Sequence, residues 1–160
     1  MSRAAAFTLA AGAAAALAAA LPVRAAPDGT PDGATVFARC AACHTKTGAG
    51  VPGAFPPLGP DVRTMAASAA GRRYLALVVT RGVSGPITVA GKPYAGVMPA
   101  QGGLDDAAVA AVLNHVGTAI VKTGPDFKPF TAAEITGLRA SGTALSAQDV
   151  GKLHAASGGQ

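Results

Sequence analysis

Cys40, Cys43 and His44 are the residues whose types and spacing most directly imply chemistry. They stand in the stretch Cys40-Ala41-Ala42-Cys43-His44, the C-x-x-C-H pattern that attaches a c-type haem. Two intervening residues set the sulfurs one helical turn apart, so each can form a thioether to one vinyl group of the same porphyrin. His44 follows the second sulfur directly and is thereby held under the iron as its proximal ligand. Two other chemistries use C-x-x-C. Zinc normally takes four ligands, and these are the only two cysteines in the chain. A thioredoxin-like dithiol belongs in a βαβ pattern, and none surrounds this motif. The expectation is one covalent haem c per chain.

The N-terminus fits that chemistry. Met1-Ser2-Arg3 is a short basic start, Ala4 to Leu21 is an apolar run, and Val23-Arg24-Ala25 offers small residues where a peptidase needs them. Residues 1–25 therefore read as an export signal cut after Ala25, which places the mature protein in the periplasm, where bacteria attach c-type haem. The alternative is a membrane anchor facing the periplasm, because the run approaches spanning length. Alanine inserts poorly into lipid, and the small-residue exit suits cleavage.

Loss of Arg3 and Arg24 lowers the basic count from 13 to 11 against 8 acids, a formal charge of +3. No Lys/Arg run of the kind a nucleic-acid binder carries is present, so no nucleic-acid partner is expected. About 135 residues remain, enough for one domain. Tryptophan is absent and aromatics make up 4%. A covalent porphyrin would supply the large apolar body that such a core lacks.

The elements that must position these groups are mostly helical. Thr30 and Pro31 read as the cap and first position of a helix that runs into Cys40. Thr45 to Pro60 is rich in Gly and Pro and reads as a loop. One helix is expected over residues 61–70, stopping at Gly71, and another over 72–81, stopping at Gly82. Ile87-Thr88-Val89 and Lys92-Pro93-Tyr94 flank Ala90-Gly91 as a short hairpin, with Pro93 confining its strand to an edge. Met98 falls in a following loop. Asp105 caps the best-defined helix, with Leu104 and Val109 as a hydrophobic staple and Val109, Val112, Leu113, Val116 and Ile120 on the inner face. Thr131 with Glu134 is a capping box for a tail helix, and Ser146 with Asp149 is a weaker start for another. Phe127, Pro129 and Phe130 are too apolar for a free linker and are expected to press this tail onto the rest.

His44 leaves the opposite face of an iron open. Met65 lies in an expected helix and Met98 in a loop. His115 and His154 fall on expected helices, where packing or solvation explains them better than ligation. Position alone leaves Met98 either a ligand or a core methionine that fills a gap.

The ordered set of motifs resembles the bacterial class I cytochromes c over nearly all of the mature sequence. Gly33 and Phe37 ahead of the haem motif resemble the family's first helix. Gly53-Ala-Phe-Pro-Pro-Leu-Gly59 resembles its segment beneath the haem. Met98-Pro99 followed by Leu104 to Leu113 is similar to its distal methionine and closing helix. Gly85 to Met98, with Phe127-Lys-Pro-Phe130, resembles a subgroup with an added hairpin and an extended C-terminus that donates electrons to a respiratory oxidase. The resemblance implies an all-α class I fold wrapped around one covalent haem, with a short β-hairpin insertion and a C-terminal helical extension. It divides the chain into a signal peptide (1–25), a haem domain (26–121) and an extension (122–160) packed on it.

The same resemblance implies that Met98 is the second axial ligand and that the Pro56 carbonyl orients His44. The implied function is single-electron transfer in the periplasm, without catalysis. The donor would be a quinol-oxidising complex or a dehydrogenase, and the acceptor a terminal oxidase. The mature protein is expected to be a monomer with no stable membrane insertion. A fixed cytochrome subunit of a periplasmic dehydrogenase complex is the alternative. The electron-transferring haem edge would be surrounded by Ala41, Ala42, Val51, Pro52, Val97, Pro99 and Ala100, a mainly apolar face.

Overall fold

The computed structural model describes residues 29–160. The export segment and its cleavage point lie outside the described residues. Seven helices and two small sheets follow in the order α1 (Gly33–Phe37), α2 (Ala41–His44), α3 (Asp61–Ala66), α4 (Ala69–Arg81), β1 (Val83–Ser84), β2 (Ile87–Val89), β3 (Lys92–Tyr94), β4 (Val97–Met98), α5 (Asp106–His115), α6 (Ala132–Ala140) and α7 (Ala147–Lys152). The chain is thus predominantly helical with a small antiparallel hairpin, as its periodicity predicts.

Asp32, not Thr30, caps α1. Its carboxylate accepts from the amides of Ala34 and Thr35 at 3.3 and 3.1 Å, satisfying donors that no earlier carbonyl can reach. The helix then ends at Phe37 instead of running into Cys40, and a turn intervenes before α2. α1 crosses α5 at Gly33, where a Cβ would run into the Ala111 carbonyl oxygen and come within 2.8 Å of the His115 Cβ. Only glycine permits that approach.

The expected break at Gly71 moves back to Ser68. The Ser68 hydroxyl accepts from the Gly71 amide at 3.0 Å, so the cap lies three residues earlier and Gly71 sits inside α4, packed on Met65. A serine cap overrides a glycine that the sequence presents as a stop. At the far end Gly82 adopts φ +76, and α4 ends there as expected.

β2 and β3 pair antiparallel with Ile87 opposite Tyr94, Thr88 opposite Pro93 and Val89 opposite Lys92. Ala90 and Gly91 both have positive φ, the geometry of a type I′ hairpin turn. A second pairing has no local signal in the sequence. β1 and β4 form their own antiparallel pair, with Val83 opposite Met98 and Ser84 opposite Val97. Met98 therefore belongs to a strand and not to a free loop.

Asp105 caps α5 by accepting from Ala108 at 2.8 Å, and Leu104 and Val109 are both buried. The last turn widens into a π-helical segment, Val116–Ile120, closed by the Val121 amide donating to the Val116 carbonyl at 2.8 Å. α6 packs on α4 and α5, and α7 packs on α4 and β1. Asn114 brackets the segment between α5 and α6, accepting from the Phe130 amide at 2.7 Å and donating to its carbonyl at 3.0 Å. Leu77, Val109, Ile135 and Val150 are fully buried, each contributing roughly 1.5–3 kcal/mol of transfer free energy.

Candidate haem site

An apolar cleft opens between α2, the loop before α3, α4, β4 and α5, enclosing about 1440 Å³ out to its mouth. α4 lines it with Tyr74, Leu75, Val78 and Val79, and α5 and the π-helical segment with Val112, Leu113 and Val116. The positions Tyr74, Leu75, Val78 and Val79 follow one helical stripe.

Cys40, Cys43 and His44 all line this cleft. The Cys40 carbonyl accepts from the amides of both Cys43 and His44, at 3.1 and 2.9 Å, so all three share one turn. Both cysteines are free thiols. Burial pushes the Cys40 thiol up from its ordinary value, the opposite of the activated thiolate a redox dithiol needs.

His44 Nδ1 lies 2.9 Å from the Pro56 carbonyl oxygen. A carbonyl can only accept, so Nδ1 carries the proton. In the neutral ring Nε2 then keeps its lone pair for a metal. The loop that delivers Pro56 is tied at several points. The Gly50 amide donates to the His44 carbonyl at 3.0 Å, and Val51 and Phe55 exchange two backbone hydrogen bonds of 2.8 Å. The Leu58 amide then donates to the Gly48 carbonyl at 2.7 Å.

Met98 reaches the same cleft from the other end of the sequence. Its pairing with Val83 fixes the strand, and the Gln101 amide donates to the Val79 carbonyl at 2.8 Å, holding the following turn on α4. The small-residue stretch Ala100 to Gly103 is therefore anchored. Met65 also lines the cleft, buried in α3, while His115 packs on Phe37 with ring centroids 5.4 Å apart. Two thiols, an imidazole with a free Nε2 and a thioether thus converge on one apolar space. The residues fit a covalent haem.

One expectation fails here. His154 is not solvated: it is 5% exposed and lines the cleft with Tyr74 and Asp61. Helical spacing alone could not show which face of a short tail helix meets the rest of the chain. Tyr74 had a legible signal, since it sits in the apolar stripe of α4. Asp61 had none.

The cytochrome c family model matches residues 31–119. This chain belongs to the cytochrome c family. The cytochrome is 50% identical over 111 residues to a cytochrome c-552 of Thermus thermophilus, covering 68% of this chain and 85% of that relative. It is equally similar to a second cytochrome c-552, from a further strain of Thermus thermophilus, there covering 75% of the relative. It is a bacterial class I cytochrome, and the cofactor of its family is one covalently bound haem c per chain. Family members carry electrons through that haem and are generally not enzymes.

Proposed function

We propose that this cytochrome is a periplasmic carrier that takes single electrons from a quinol-oxidising complex or a dehydrogenase and passes them to a terminal oxidase. Cys40 and Cys43 hold the haem through thioethers, His44 Nε2 and the Met98 sulfur bind the iron, and the Pro56 carbonyl orients His44. The bound haem supplies a one-electron change between ferric and ferrous iron, and Met/His ligation raises its potential. The chain does the rest. Leu75, Val78, Val79, Val112, Leu113 and Val116 keep water from the centre, and the anchored segments around His44 and Met98 hold both ligands still in both oxidation states.

The observation that carries this reading is the convergence of His44, with Nδ1 committed to Pro56, and Met98 on one apolar cleft. The hairpin and the segment after Phe127 support the oxidase-donor subgroup. Val51, Phe55 and Val97, at 42%, 37% and 68% exposure, are the large hydrophobic side chains exposed among the described residues. All but Val51 line the cleft mouth, and Val51 pairs with Phe55. They support a small apolar docking face suited to brief contact. Residues 1–25 are removed on export, 26–121 form the haem domain and 122–160 the extension, giving a monomer. Among the described residues no helix is long and apolar enough to cross a membrane.

Mass spectrometry of the exported protein tests attachment, with one haem added and no free thiol expected. Stopped-flow oxidation by membranes containing a terminal oxidase tests the acceptor. Recovery only as a tight complex with a dehydrogenase would favour the fixed-subunit alternative.

A further inference from the structure

His154 occupies an unusual place for a histidine in a polar tail. Its ring stands edge-on to Tyr74, with centroids 5.3 Å apart and planes at 76°. The amides of Ser157 and Gly159 donate back to the His154 carbonyl at 3.0 and 3.2 Å. Gly159 consequently lies against the imidazole so closely that a Cβ there would strike the ring. The final turn covers the solvent side of the ring, while its other side belongs to the haem cleft. No described residue makes a hydrogen bond to the imidazole nitrogens or to the Tyr74 hydroxyl.

Resting on the haem reading above, we propose that His154 is a redox-linked proton site, taking up a proton when the iron in this cleft gains an electron. The balance is simple. One electron enters from the donor, one proton moves from solvent to the imidazole, no other bond changes, and oxidation reverses both. Ferric iron carries one more positive charge than ferrous iron, so it disfavours a second cation nearby, and reduction removes that repulsion. By reciprocity, protonating His154 raises the affinity for the electron by the same factor.

The surroundings leave the imidazole poised. Burial holds it below the ordinary histidine value, and Asp61 pulls it back up. From α3 the facing group is Asp61, and from α4 it is Tyr74. β1 and the start of the hairpin present Ser84, Ile87 and Thr88, none of them charged. On its own helix, Lys152 is exposed and paired with Asp149 at 3.0 Å. Asp61 is therefore the counter-charge that matters.

The test is the midpoint potential of the haem-loaded full chain between pH 5 and 9, by spectroelectrochemistry, for wild type, His154→Gln and Asp61→Asn. The wild-type potential should fall with pH between the His154 values of the two oxidation states, with a limiting slope of about 59 mV per tenfold change in proton concentration. His154→Gln should be flat across that window, and Asp61→Asn should move the window to lower pH. NMR titration of the wild-type His154 ring should give a higher pKa in the reduced protein, whether or not the variants fold. A slope that survives in His154→Gln, or identical ring titrations in both states, overturns the proposal. Failure of the haem reading would show separately, as no haem retained on the denatured chain.

Discussion

Arg72 grips Glu134 through two parallel hydrogen bonds, Nε to Oε1 at 2.6 Å and Nη2 to Oε2 at 2.7 Å, and so ties α4 to α6. The same guanidinium donates to the carbonyls of Ala66, Lys128 and Pro129 and lies 3.8 Å from the centre of the Phe130 ring. Arg72→Lys keeps the charge but loses the planar fork. Arg72→Ala should cost about 2–3 kcal/mol, below a fully buried pair because Glu134 is partly exposed, and Arg72→Lys should recover less than half of that. Denaturant unfolding of the haem-loaded protein measures both. Equal stability of all three would show the clasp to be idle.

Met98 and Met65 both line the cleft, but only Met98 is proposed to bind iron. Met98→Ala should lower the potential and let imidazole or cyanide bind the ferric protein. Met65→Leu should leave the absorption spectrum unchanged and cost less than about 1.5 kcal/mol, because it nearly conserves volume. An exchange of these behaviours would reassign the ligand.

At Gly33, the neighbours are backbone and a Cβ, which cannot swing aside. Gly33→Ala should destabilise by about 1–3 kcal/mol by pushing α1 off α5. A thermal melt identical to wild type would mean that the helices part freely.

Asp149 is held down to about 2, first by the Ser146 hydroxyl and then by Lys152. Its folded value lies below its unfolded one, so its contribution is present above about pH 4 and fades as pH falls towards 2. Asp149→Asn should therefore lower stability at pH 7 and make little difference at pH 2. Urea unfolding at the two pH values checks the sign.

Docking through Val51, Phe55 and Val97 predicts weak dependence on salt, since charge steering is screened within about 8 Å at physiological ionic strength. Val97→Asp and Ala42→Asp should slow electron transfer to the acceptor at every ionic strength. A steep loss of rate with salt, together with unaffected variants, would point to a charged docking face instead.

The attachment turn, the hairpin and α5 were legible because each is a local pattern: a spacing, a turn pair, a cap with its helical stripe. The capping of α7 was legible too, and Ser146 and Asp149 form the full reciprocal box. What stayed hidden depended on distant partners. β1 is two residues long and is a strand only because β4 lies beside it, beyond the whole hairpin. His154 looks solvated in the sequence because its burial comes from Tyr74, far earlier in the chain. Ser68 is masked by Gly71, which offers a stronger stop signal, while the deciding hydrogen bond lies one turn before it.

In β4, successive side chains point to opposite sides, so Met98 turns inward while Val97, one residue earlier, faces solvent. A one-residue slip against β1 would exchange the two. Partner choice and electron affinity are therefore written on adjacent letters of one strand. Mutational drift that adapts the surface to a new acceptor must leave the register of two residue pairs intact, which makes this strand the least evolvable part of the docking face.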